Sequence, residues 1–169
     1  EFPDPRPARR HKGLFDGLEF PEPVAFDERH IGDKPSFVRA EPRLNALKRF
    51  KLEERYRSRI GSLLPVDELV ANVFEALESS GELDDTYVMF TSDNGYLMGQ
   101  HRAVGKTLLY EESVRVPMLM RGPGIPRGVE VEDIAVNADL TATIADAAGA
   151  RTDFPLDGRS LLPFTTDPG

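Results

Sequence analysis

One stretch constrains this chain more than any other: Tyr87-Val88-Met89-Phe90-Thr91, an unbroken run of strand formers that ends abruptly in Ser92-Asp93-Asn94-Gly95. A run without polar alternation is the pattern of a strand covered on both faces. The Asp, Asn and Gly that follow are residues at which a chain turns. Just upstream, Val66, Leu69, Val70, Val73, Phe74 and Leu77 recur at the spacing of one helical face. Asp67 and Glu68 suit the N-terminal end of the helix dipole and Gly81 suits the C′ position, so a helix is predicted over 67–80. A second apolar run, Val116-Pro117-Met118-Leu119-Met120, leads into the turn Gly122-Pro123-Gly124, and Pro117 confines it to an edge or a strand start. From Asn137 to Ala148 a helical face returns through Leu140, Ile144, Ala147 and Ala148, closed by Gly149. The order helix, strand, strand, helix predicts an α/β sheet layered by helices.

The first 51 residues have a different texture. Pro and charged residues recur every few positions, as in Pro3-Asp4-Pro5-Arg6-Pro7 and Phe20-Pro21-Glu22-Pro23, with no sustained periodicity. A long irregular stretch is uncommon in a free-standing compact domain, so residues 1–51 are expected to lie extended across something larger, and residues 52–169 to form the α/β portion. A start without Met at a Pro-rich stretch is expected of a truncated or processed chain, and the turn-rich tail from Arg151 is not expected to close a domain.

Charge narrows the partners. Lys plus Arg minus Asp plus Glu is 21 − 29 = −8, which repels a nucleic-acid backbone and an anionic membrane surface. An anionic substrate would need a local cationic pocket. The absence of cysteine removes disulfides, thiolate metal sites and thiol nucleophiles from these residues. No apolar run approaches the roughly 18 residues of a membrane span.

The predicted strand delivers Asp93 and Asn94 to its carboxyl end, where open α/β sheets bind ligands. One charged and one neutral oxygen suit a hard cation such as calcium or magnesium without filling its coordination sphere. Asp-Asn-Gly is also an ordinary turn tripeptide, so the pair alone is weak. The segment Gly99-Gln100-His101-Arg102-Ala103-Val104-Gly105-Lys106 then adds a histidine and a lysine. Sulfate and phosphate esters need positive charge at the nonbridging oxygens and a proton donor for the leaving group, roles that Lys106 and His101 can supply.

Taken in order, Phe90-Thr91-Ser92-Asp93-Asn94-Gly95-Tyr96, Gly99-Gln100-His101, Gly105-Lys106, Tyr110-Glu111-Glu112, Arg115-Val116-Pro117 and Arg121-Gly122-Pro123-Gly124 resemble the C-terminal part of the sulfatase family. The resemblance is strongest to bacterial sulfatases similar to N-acetylglucosamine-6-sulfatase. It continues through Val136-Asn137-Ala138-Asp139-Leu140 to Asp157-Gly158-Arg159-Ser160-Leu161-Leu162-Pro163, and spans about residues 34–163. It implies part of an alkaline-phosphatase-like sandwich, a mostly parallel sheet flanked by helices. It also implies a calcium ion held by Asp93 and Asn94 together with two earlier aspartates, and a lysine on the sulfate that Lys106 matches. His101 lies on the same loop as a catalytic candidate, though its counterpart varies across the family.

The family's nucleophile is a formylglycine made from Cys or Ser inside a Cys/Ser-x-Pro-x-Arg motif, and no such motif occurs here. The resemblance therefore implies a sulfuric ester hydrolase acting on a sulfated sugar or aryl sulfate, of which this chain carries half a calcium and sulfate site and is by itself inactive. Two other readings stay open: a phosphoesterase of the same superfamily, and a noncatalytic truncated module whose exposed surfaces lead to homo-oligomers. A sulfated small molecule or saccharide is the expected partner, with no nucleic acid and no membrane.

Overall fold

The computed structural model describes residues 4–166. They fall into two compact units, one formed by residues up to Glu75 with Asn94–Val116, the other by Ala76–Asp93 with the residues from Pro117 onward.

The first unit is built on the Pro-rich segment. It contains a 3₁₀ turn at Arg9–His11, a short helix α1 at Ser36–Arg39, and most of α2, which runs over Ala46–Ser80. Phe20 and Phe26 turn inward, 5.0 Å apart, and join Tyr56 and Tyr96 around Leu44, Leu52 and Met98. Clustered aromatic rings of this kind bury enough surface to hold an irregular segment in place.

Helix α2 begins well before the residue at which an apolar stripe becomes visible. Its start is signalled by Asn45, whose Oδ1 accepts the Lys48 N–H at 2.9 Å as an N-cap. Its N-terminal half is charged on every face, and Arg57 pairs with Glu54 at 2.8 Å and Glu53 at 3.7 Å, spacings that support a helix without a stripe. Pro65 sits inside the helix and lacks the N–H that would reach the Gly61 carbonyl. Gly61 also leaves room for Pro7, because a Cβ there would lie 2.8 Å from the proline ring. At the far end Gly81, at φ +76°, closes the helix as expected, with Glu82 N–H donating to the Leu77 carbonyl at 2.9 Å.

The first unit also holds a small hairpin. Strand β2, Leu97–Met98, pairs antiparallel with β3, Val104–Gly105, and a one-turn helix α3 follows at Glu111–Val114.

In the second unit β1, Val88–Thr91, pairs antiparallel with β4, Met118–Arg121. Pro117 stands at the strand start, where its missing N–H does no harm. Both strand pairings among the described residues are antiparallel, so the parallel pairings expected for this fold are not among them. The unbroken apolar run of β1 predicted cover on both faces, yet the cross-strand partners Phe90 and Leu119 are 41% and 61% exposed.

Helix α4, Asn137–Ala147, occupies the predicted span and ends against Gly149 at φ +59°. Asp139 is buried near its start. It accepts the Val136 N–H and the Arg159 N–H, both at 2.9 Å, and so docks the Asp157-Gly158-Arg159-Ser160-Leu161 segment. Gly158 permits that approach, since a Cβ there would lie 2.2 Å from the Ala138 carbonyl. A last helix, α5, spans Leu162–Thr166. No helix among the described residues is long and apolar enough to cross a membrane.

Candidate functional site

Strand β1 ends at Thr91, and the Asn137 side chain at the head of α4 donates to the Asp93 carbonyl at 3.0 Å. The carboxyl end of the strand is thereby tied to a helix start. One peptide bond later the chain passes to the first unit at Asn94. The Asn94 amide donates to the Gly95 carbonyl at 2.8 Å, which fixes the carboxamide, and its Oδ1 accepts the Lys106 ammonium at 2.7 Å.

The hairpin explains this meeting. Leu97 pairs with Gly105, so the chain leaving β3 returns alongside the residues that entered β2, and Lys106 arrives back at Asn94. Helix α3 supports the same turn. Gly95 N–H donates to the Ser113 carbonyl at 3.0 Å and Tyr96 N–H to the Glu112 carbonyl at 2.7 Å. Only a glycine fits there, because a Cβ on Gly95 would lie 2.2 Å from the Glu112 oxygen. The sequence-predicted residues Asn94 and Lys106 are therefore brought together.

His101 is held differently. Its Nδ1 faces the Glu28 carboxylate at 2.9 Å, its Nε2 faces Glu112 at 3.7 Å, and its ring stacks on Tyr110 at 4.0 Å. With 14% of its side chain exposed, it has both nitrogens directed at carboxylates. The imidazole is also the foremost cause that holds the Glu28 carboxyl below its ordinary value, with Lys34 adding to it. Both His101 and Arg102 adopt positive φ, +53° and +59°, a conformation that costs about 1–2 kcal/mol for a residue with a Cβ. Arg102 offsets that strain by donating to the carbonyls of Glu28, Arg29 and Glu41.

Nothing in the sequence singles out Glu28. A lone glutamate in an irregular segment carries no signal of its own. Glu112 and Tyr110 were visible only as members of a motif. An open, apolar pocket of about 440 Å³, walled by Phe20, Tyr56, Tyr96 and Met98, lies in the same unit, but neither Asn94 nor Lys106 lines it.

Comparison with known proteins decides the family. The sulfatase family model matches residues 9–150. This chain belongs to the sulfatase family. It is 39% identical to an arylsulfatase of Volvox carteri over 179 aligned residues, which cover 99% of this chain and 28% of that protein. It is 44% identical to the human N-acetylglucosamine-6-sulfatase over 115 residues, covering 67% of this chain and 21% of that protein. A solved structure, of a protein in complex with its substrate D-glucosamine-2-N,6-O-disulfate, superposes with a TM-score of 0.80 over 99% of this chain and 46% of that one, at 24% identity. That likeness establishes the alkaline-phosphatase-like α/β fold. The chain thus spans less than a third of the length of these two curated relatives and just under half of the solved structure.

Sulfatases as a family imply a calcium ion, and the donor chemistry of this sulfatase chain fits one in part. Asp93 and Asn94 offer hard oxygen donors side by side in sequence, and in this structure the Asn94 Oδ1 accepts the Lys106 ammonium. Among the described residues no group of three or more His, Asp or Glu side chains is arranged to hold a metal. Calcium takes six to eight oxygens, so these residues by themselves leave its sphere incomplete.

Proposed function

We propose that this chain contributes the later half of the active site of a sulfuric ester hydrolase acting on a sulfated sugar or an aryl sulfate. In this reading Asp93 and Asn94 hold a calcium ion shared with ligands from elsewhere in the enzyme, and Lys106 contacts a sulfate oxygen. The observation that carries the reading is the 2.7 Å hydrogen bond from Lys106 to Asn94, which puts a cation beside a hard oxygen donor. Calcium, when bound, supplies positive charge to the transferring group.

The residues present act by binding and orientation. Lys106 neutralises a nonbridging oxygen, and the α3 carbonyls fix the turn that aims Asn94. A formylglycine nucleophile belongs to a part of the family that has no counterpart in these 169 residues, so they are expected to be inactive alone. The exposed apolar positions Leu69 and Val73 on α2 support the same reading, since further sulfatase residues would cover them.

The test is an assay of the protein at its full natural length with 4-nitrophenyl sulfate and with 6-sulfated N-acetylglucosamine, before and after calcium chelation. Chelation is expected to abolish turnover. Faster cleavage of phosphate or phosphonate monoesters than of either sulfate would assign the site to a phosphoesterase instead.

A further inference from the structure

We infer that His101 is a positioning residue and that Glu28 works with it: clamped between Glu28, Glu112 and Tyr110, the imidazole fixes α3 and sets where Asn94 meets Lys106. The inference rests on the reading of Asn94 as a metal ligand and Lys106 as the sulfate contact. It replaces the proton-donor role that the sequence suggests for His101.

The geometry argues against proton donation. A general acid needs a nitrogen aimed at the leaving group. Here Nδ1 is taken by Glu28 at 2.9 Å, Nε2 faces Glu112 at 3.7 Å, and one ring face lies against Tyr110.

Two connected routes lead from the imidazole to the site. Through α3, the Glu112 side chain faces the imidazole while its carbonyl holds Tyr96 N–H, and the next carbonyl, of Ser113, holds Gly95 N–H, beside Asn94. Along the hairpin, the loop from Gly99 to Ala103 is closed by a 2.9 Å hydrogen bond and leads through β3 to Lys106. That loop is in turn anchored on the 25–29 segment. His101 N–H donates to the Ala25 carbonyl at 2.8 Å, and the Gly99 carbonyl accepts Asp27 N–H at 2.9 Å. Glu28 is itself braced by Lys34 at 3.3 Å. Two consecutive non-glycine residues at positive φ persist only where the surroundings over-determine them, and such strain collects at functional sites. Removing Glu28 or the imidazole therefore loosens both routes at once.

The experiment compares wild type, His101→Ala, Glu28→Ala and the conservative Glu28→Gln, which still accepts from Nδ1–H, in the protein at its full natural length. Two quantities are read: amide hydrogen exchange at Gly95 and Tyr96, and rates on aryl sulfates of graded leaving-group acidity. Both alanine variants are expected to speed exchange at those amides about tenfold relative to α2 near Leu52, with Glu28→Gln close to wild type. Their rates should fall by one common factor across the leaving groups. Unchanged exchange, or a loss in His101→Ala that grows as the leaving group becomes more basic, would overturn the inference in favour of a proton donor. An equal rise at Leu52 would also overturn it, making the cluster a general element of the fold. Should wild type cleave no sulfate ester, the sulfatase reading falls while the exchange comparison still decides the role of the cluster.

Discussion

Lys106 and Asn94, twelve residues apart in the chain, meet through a 2.7 Å hydrogen bond from Nζ to Oδ1. The contact orients both groups, because the Asn94 amide is simultaneously held by the Gly95 carbonyl. A carboxamide oxygen has a second lone pair, so the bond to Lys106 leaves Oδ1 one further acceptor position.

Lys106→Ala is expected to lower kcat/KM on a sulfate ester by about 10²–10³-fold, the usual consequence of deleting one charge-stabilising donor. Lys106→Arg should recover only part of the loss, since a planar fork cannot reproduce a point donor. Circular dichroism melts should be little changed, as the bond is exposed. A loss below threefold in the alanine variant would remove Lys106 from the site.

Gly95→Ala should disable the same site through the backbone. The added methyl would sit 2.2 Å from the Glu112 carbonyl, so α3 or the Asn94 turn must move. Overpacking against backbone costs about 1–3 kcal/mol, and the hydrogen bonds from Gly95 and Tyr96 are the first to lengthen. Turnover should drop far more than the melting temperature does; equal wild-type activity would show that the turn is not held as described.

Much of this could be read in the sequence, and the limits have physical causes. The helix at Asn137–Ala147 was legible because its apolar face, its turn into Gly149 and its length all agree. Gly81 was legible for the same reason. The N-terminal half of α2 was not, because Arg49, Lys51, Glu53, Glu54 and Arg55 surround it with charge and its capping signal is the single residue Asn45. The pairing of Asn94 with Lys106 follows from a hairpin whose strands are two residues each, too short to show alternation. His101 was visible as a residue but its pairing with Glu28 was not, since Glu28 is 73 residues away in an irregular segment. Periodicity says that Phe90 and Leu119 belong in a core, and what covers them lies beyond what a local pattern can state.

Acid should release the Arg9–His11 turn from α2. Glu68 pairs there with Arg10 and with His11, and the pairing with Arg10 is the main cause that holds its carboxyl down at about 2 against an ordinary 4.5. A depressed carboxyl contributes stability that is fully present above the unfolded value and is lost as pH falls through the folded one. The window is therefore pH 4.5 down to about 2. Limited proteolysis near Lys12 should accelerate across that window in wild type. Glu68→Gln should cleave rapidly at all pH values; identical profiles would show that the pair does not secure the segment.

Asp139 offers a sharper test of how the second unit is joined. Its carboxylate accepts two backbone N–H groups, from Arg159 and Val136, and these hold its carboxyl below the ordinary 3.8. Thr143, fully buried, donates to the Asp139 carbonyl at 2.7 Å and accepts Leu161 N–H at 2.9 Å, so both side chains dock the same segment. Asp139→Ala leaves both N–H groups without that acceptor and should cost about 2–3 kcal/mol, while Thr143→Val, nearly isosteric, should cost about 1–2 kcal/mol. Because they share one docked segment, the double variant should lose less than the sum, a coupling that additive, independent sites would not show. The Asp139 contribution is present above pH 3.8 and fades as pH falls through the folded-state value. Urea melts of the four proteins at pH 7 and pH 3 measure both effects, and strict additivity with no pH dependence would mean that Asp139 and Thr143 do not hold the 157–161 segment together.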